Sequence, residues 1–202
     1  MVIIQYQKSN PAMLPKIKNL LNKLALTRET FWNIHEEVGE FLNLLIISQK
    51  YKTVLEIGTS NGYSGIWLAE ALSQVAKTSK TKSPHLYTIE SNLKKRFPLA
   101  TENFKKAGLS KYITQILGHA PEVIPKTPHK FNLAFFDATK YEHILYWNAV
   151  KHRINKGGTI IVDNITSHKE ALKNFTKEVQ KDKSFTTITL PLGTGLLIAV
   201  KN

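Results

Sequence analysis

Two groups of residues in this chain have the types and spacing to do chemistry, and each stands where an apolar run stops. The first is Val54-Leu-Glu-Ile-Gly-Thr-Ser-Asn-Gly-Tyr-Ser-Gly65, a strand-like segment that enters a glycine-rich turn and then a helix over 66–75. Glycines in such a turn let a ligand approach the main chain. Gly58, Gly62 and Gly65 give G-x-x-x-G-x-x-G, which is not the dinucleotide fingerprint, and no G-K-[ST] follows to cradle a phosphate. Glu56, two residues before the first glycine, repels phosphate and suits a cation. Glu90 closes the next run, His85-Leu-Tyr-Thr-Ile-Glu90, where a carboxylate can accept hydrogen bonds from ribose hydroxyls. A nucleoside with a positive charge and no phosphate is S-adenosylmethionine, which is the expected cofactor. Either feature alone reads as a tight turn or a solvated strand end; the two together, in this strand order, favour the cofactor.

The second group is Asp137, at the end of Asn132-Leu-Ala-Phe-Phe-Asp137, and Asp163-Asn164, at the end of Gly158-Thr-Ile-Ile-Val-Asp163. A single Asp in such a place is usually a turn former or a helix cap. Two carboxylates and an amide oxygen on neighbouring strands are instead hard ligands for a divalent cation, Mg²⁺ first, with Ca²⁺ or Mn²⁺ as alternatives. Lys140 follows Asp137 by three residues, and a lysine becomes a base where a neighbouring cation disfavours its charge. His119, His143 and His168 have no ligand spacing and read as structural or solvated.

The elements that must position these residues alternate. After a helical stretch with Leu14, Ile17, Leu20, Leu21 and Leu24 at helical spacing, and a second through Phe41 to Ile46, strands are predicted at 53–57, 85–90, 112–117, 132–137 and 158–163 with helices between. Strand–helix alternation predicts an α/β, Rossmann-like doubly wound sheet. Phe185–Leu190 and Leu196–Val200, joined by Pro191-Leu-Gly-Thr-Gly195, predict a C-terminal hairpin that contributes one antiparallel strand. One domain over 1–202 is expected, with a helical cap at 1–50 and the core at 51–202. Lys77-Thr-Ser-Lys-Thr-Lys-Ser-Pro84 reads as a mobile surface loop that tolerates cutting.

Composition excludes several classes. The 202 residues are 42% hydrophobic and 21% charged, within the range of a packed globular protein rather than a disordered one. No cysteine is present, which removes disulfides, thiolate metal sites and cysteine nucleophiles and suggests a reducing cytoplasm. No apolar run approaches a membrane span and no export signal is expected at the start, so no membrane partner is foreseen. The formal charge is +13, from 28 Lys+Arg against 15 Asp+Glu. Arginine contributes only Arg28, Arg96 and Arg153, and the lysines fall at spacings that suit solvated helix faces. Nucleic acid is therefore a secondary expectation.

These motifs resemble those of class I S-adenosylmethionine-dependent O-methyltransferases of the catechol and caffeoyl-CoA type, including the short bacterial members. The similarity runs from about Gly39 to Lys201. Gly39-Glu-Phe-Leu-Asn-Leu-Leu45 resembles G-Q-F-L-N-x-L, and Leu55 to Ser64 resembles L-E-I-G-T-x-x-G-Y-S. Asp137-Ala-Thr-Lys140 resembles D-A-D-K, Asp163-Asn164 the D-N pair, and Leu190 to Leu196 the closing P-x-G-D-G-L hairpin. The resemblance implies cofactor contacts at Glu56, Gly58, Thr59, Ser64, Glu90, Ala120 and Asp137. It implies a metal on Asp137, Asp163 and Asn164, with Lys140 as the catalytic base. His119, Thr139 and Thr194 each stand where relatives carry Asp: His119 at a position that the resemblance links to the adenine amino group, Thr139 at one it links to the substrate, and Thr194 in the closing hairpin, so the metal and methyl-donor sites resemble the family more than the acceptor side does.

The resulting expectation is a metal-dependent O-methyltransferase acting on a small catechol-like hydroxyl acceptor. Two alternatives are a methyltransferase acting on a hydroxylated wobble uridine of tRNA, which the basic charge would suit, and a non-catalytic module that binds S-adenosylmethionine. Relatives are often dimers, and the amphipathic N-terminal helices could supply a homodimer interface or a lid over the acceptor.

Overall fold

The computed structural model of the chain describes residues 13–79, 84–127 and 130–202. Half of the predicted surface loop, at 80–83, lies outside the described residues. Three helices come first: α1 (Pro15–Ala25), α2 (Arg28–Phe31) and α3 (Glu36–Gln49). Pro15 opens α1 at the position where a missing N–H costs nothing, and α3 closes on Lys50 in the left-handed conformation. The core then alternates β1 (Thr53–Ile57), α4 (Tyr63–Thr78), β2 (His85–Glu90), α5 (Arg96–Ala107), β3 (Ile113–Leu117), α6 (Ala120–Val123), β4 (Phe131–Phe136), α7 (His143–Val150), β5 (Ile154–Val162) and α8 (Lys169–Lys181). The hairpin β6 (Phe185–Leu190) and β7 (Leu196–Lys201) ends the chain.

The strands form one sheet in the order β3-β2-β1-β4-β5-β7-β6, with β1 to β5 parallel and β7 antiparallel to both of its neighbours. This is the doubly wound sheet with one reversed strand that the alternation and the hairpin predict. Strand side chains sort by the period of two. Val54, Leu86, Leu133, Phe135 and Ile161 pack with α1, α3, α4 and α5, whereas Leu55, Ile57, Ile89, Ala134, Phe136 and Ile160 pack with α7 and α8. Burial on both faces explains why these strands read as nearly continuous apolar runs. The difference from expectation is β5, which begins at Ile154 instead of 158. Asn155-Lys-Gly-Gly158 hides its start, and the pairing with β4 slips between Phe131 and Leu133. Among the described residues no helix is long and apolar enough to cross a membrane.

The register levels one edge of the sheet. Ile57 is paired with Ile89 on one side and Phe136 on the other, and Phe136 is paired with Val162. The next residue on each strand is Gly58, Glu90, Asp137 or Asp163, so these four form a row in which neighbouring backbones lie about 5 Å apart. Between β1 and β4 the strand order reverses, and the crevice left at such a point is where ligands bind in open parallel sheets.

Candidate active site

A cavity of about 400 Å³ opens over this row, a volume suited to a small molecule or a nucleoside. Of the residues the sequence picks out, Gly58, Thr59, Ser64, Glu90, Ala120, Asp137, Lys140 and Asn164 line it. Glu56 and Asp163 stand behind the wall; both are almost completely buried.

The turn after β1 is shaped by close approach. Gly58 has φ +105°, and a Cβ there would come within 2.1 Å of the Asp137 carbonyl oxygen, so only glycine lets the ends of β1 and β4 touch. Its N–H and that of Thr59 both reach Ile89 O at 3.1 Å. Glu56 is held beneath by the Thr88 hydroxyl, which donates to Oε2 at 2.5 Å from the paired position on β2. Burial pushes the Glu56 carboxyl up to about 7, against the Ser64 and Thr88 hydroxyls, which pull it down, and with help from Asp137 and Glu90. Glu90 is fixed at both oxygens: Ser60 N–H donates to Oε2 at 2.9 Å and Asn92 N–H to Oε1 at 2.8 Å. Each oxygen keeps acceptor capacity for a hydroxyl in the cavity.

On the other half of the row, Lys140 Nζ donates to Asp137 Oδ1 at 2.8 Å. Asp163 Oδ1 accepts from the Thr194 hydroxyl at 2.7 Å and from Asn164 N–H at 2.6 Å. Asn164 adopts φ +67° and donates through Nδ2 to Thr194 Oγ1 at 3.0 Å, which leaves its carbonyl oxygen on the other branch of the amide. Burial and the neighbouring Asp137 charge push the Asp163 carboxyl up to about 6, with Thr194 and Asn164 opposing. Two carboxylates, one of them paired with Lys140, stand beside an amide oxygen, and these hard oxygens are the donor types that fit a divalent cation. Thr194, one of the departures from the motif, bridges Asp163 and Asn164 rather than leaving them loose.

The segment between α2 and α3 also reaches the cavity, through Phe31, Trp32, Asn33 and Ile34. Trp32 is 69% exposed and holds φ +54°, which is uncommon for a bulky residue; Arg96 stacks on its ring at 4.8 Å. Two hydrogen bonds tie α2 at its two ends to the glycine turn: Ser60 Oγ donates to Phe31 O at 2.8 Å and Asn61 Nδ2 to Thr27 Oγ1 at 3.1 Å. The sequence gives no sign of this aromatic rim, because Trp32 reaches it through a left-handed backbone angle.

The histidines divide. His143 is fully buried against Phe136, Tyr146 and Phe175, with Nδ1 on Thr139 O at 3.0 Å and no partner for Nε2 among the described residues. Burial pulls it down to about 4, so it is a neutral structural residue, as expected. His119 and His168, in contrast, line the cavity, and so do Glu142 and Tyr146, which the sequence does not single out.

The O-methyltransferase family pattern matches residues 8–202. The chain belongs to the O-methyltransferase family. A catechol O-methyltransferase from Niastella koreensis is 32% identical over 149 residues, covering 71% of this chain and 63% of that protein. Another, from Mycobacterium tuberculosis, is 29% identical over 133 residues, 65% of this chain and 56% of that protein. This chain thus spans less than two thirds of the length of both relatives. An O-methyltransferase from Bacillus cereus in complex with SAH shares the fold, with a TM-score of 0.80 at 22% identity over 98% of this chain and 94% of that one.

Proposed function

We propose that this chain is an S-adenosylmethionine-dependent, divalent-cation-dependent O-methyltransferase whose acceptor is a small molecule with vicinal hydroxyls. The observation that carries this reading is the single cavity wall on which Glu90, Gly58, Asp137, Lys140 and Asn164 converge. When bound, the donor supplies the methyl group and the cation supplies charge that acidifies an acceptor hydroxyl. The chain's own residues do the rest. Glu90, fixed by two backbone N–H groups, orients the ribose. The Gly58–Ser64 turn packs the amino-acid end against main chain, with the buried Glu56 charge behind it. Asp137, Asp163 and Asn164 would hold the cation, and Lys140 Nζ, as the free amine that a neighbouring cation favours, would take the proton from the acceptor hydroxyl. Phe31 and Trp32 form an apolar edge that keeps water from the acceptor side and favours a flat ring.

The test is transfer of labelled methyl from S-adenosylmethionine to a panel of catechols and to tRNA lacking wobble-uridine methylation, each with Mg²⁺ or EDTA. Mg²⁺-dependent label in the catechols supports the reading. Label in tRNA alone moves the acceptor to RNA and makes the +13 charge functional. Donor binding with no transfer to either leaves a binding module.

A further inference from the structure

The departure at His119 does not leave the cavity wall empty. His119 Nε2 lies 2.9 Å from Glu142 Oε1, and the Tyr146 hydroxyl donates to Glu142 Oε2 at 2.7 Å. On its other side, His119 Nδ1 lies 3.2 Å from Glu122 Oε1. A carboxylate can only accept, so His119 and Tyr146 both donate, and they lock Glu142 from two directions. The Glu142 side chain is 29% exposed, and the residue lines the cavity together with both of its donors.

The position of this carboxylate follows from the sheet. With ribose hydroxyls on Glu90 at the end of β2 and the amino-acid end of the donor on the turn after β1, the base extends toward the β3 side. There the wall consists of Gly118, His119 and Ala120 after β3, with Ala138 after β4. Ile89, Ala120 and Ala138 give it flat apolar surface, and Glu142 supplies a fixed, acceptor-only group.

We propose that Glu142 reads the base of the bound nucleoside, accepting a hydrogen bond from an exocyclic amine and rejecting a carbonyl at the same position. This assignment rests on the donor reading above and adds a residue to it: His119 and Tyr146 are positioning residues, and Glu142 makes the contact. A carboxylate facing a ring carbonyl sets acceptor against acceptor, whereas facing an amine it makes a charge-assisted bond. Sites built around one such hydrogen bond discriminate strongly against the analogue that lacks it.

The experiment measures Kd by calorimetry for S-adenosylhomocysteine and S-inosylhomocysteine, which differ in the 6-substituent, amine against carbonyl, and in the proton that the inosyl ring carries on the adjacent N1, in the parent protein, Glu142→Gln and Tyr146→Phe. The parent should prefer the adenosyl compound by about tenfold or more. Glu142→Gln, whose amide can also donate to a carbonyl, should bring the ratio close to one. Tyr146→Phe, which frees one carboxylate oxygen, should give an intermediate ratio. A merely structural role for Glu142 would weaken both ligands equally, and an unchanged ratio in Glu142→Gln overturns the proposal. Binding of neither compound to the parent overturns the donor reading itself and the proposal with it.

Discussion

Lys140 Nζ and Asp137 Oδ1 are 2.8 Å apart, both largely buried, in the wall of the cavity. The ammonium neutralises one of the two repelling carboxylates; in the proposed function the same nitrogen, as the free amine, takes the acceptor's proton.

Replacing Lys140 with Ala should therefore separate transfer from donor binding. The acceptor proton loses its destination, and kcat/KM should fall by about 10²–10⁴-fold, while donor affinity measured by calorimetry stays within about twofold. An equal loss in donor binding would contradict the role.

Glu56 gives a pH signature. Its carboxyl is pushed up to about 7 in the folded chain from an ordinary value of 4.5, so between those two values the folded state keeps a proton that the unfolded state has lost. Stability should fall as pH rises through this window and level off above it. Glu56→Gln removes the effect, and its denaturant midpoint relative to the parent should improve between pH 5 and pH 8. The same variant should weaken S-adenosylmethionine more than S-adenosylhomocysteine, on the order of tenfold, because only the former carries the sulfonium charge. Equal weakening of the two would show that the charge of Glu56 is not what the ligand feels.

Gly58→Ala places a methyl group against the Asp137 carbonyl and a side chain at φ +105°. Strain and overlap together should cost about 2 kcal/mol or more of stability, read from urea unfolding, with loss of donor binding in the fraction that folds. A fully stable, binding-competent alanine variant would mean that β1 and β4 can separate there.

Thr194→Val keeps the shape and removes the hydroxyl shared by Asp163 and Asn164. The buried carboxylate loses a donor, so stability should drop by about 1–3 kcal/mol. Transfer by the variant should also need a higher Mg²⁺ concentration, seen in a metal titration of activity.

Much of this arrangement is legible in the sequence because the sheet is buried on both faces. β1, β4 and the later part of β5 are apolar runs, β2 is one broken by Tyr87 and Thr88, and the polar residue that ends or follows a strand marks the sheet edge; in this way Glu90, Asp137 and Asp163 could be found without coordinates. β5 shows the limit, since Gly157 and Gly158 break the run while the backbone continues the ladder from Ile154. Glu142 was out of reach for a different reason. Its meeting with His119 joins residues 23 apart through the turn at Lys140–Glu142, and no local pattern encodes that distance. Trp32 likewise owes its place to tertiary bonds made by its neighbours.

The hydrogen bonds from the glycine turn to the α2–α3 segment have a kinetic meaning. Ser60 gives its N–H to Glu90 and its hydroxyl to Phe31 O, so one residue holds the acid proposed to take the ribose and the aromatic doorway at the same time. In the proposed function, a nucleoside held by Glu90 would bear on the doorway through Ser60. Turnover should thus have a compulsory order, donor before acceptor, and the demethylated donor should be the last molecule to leave.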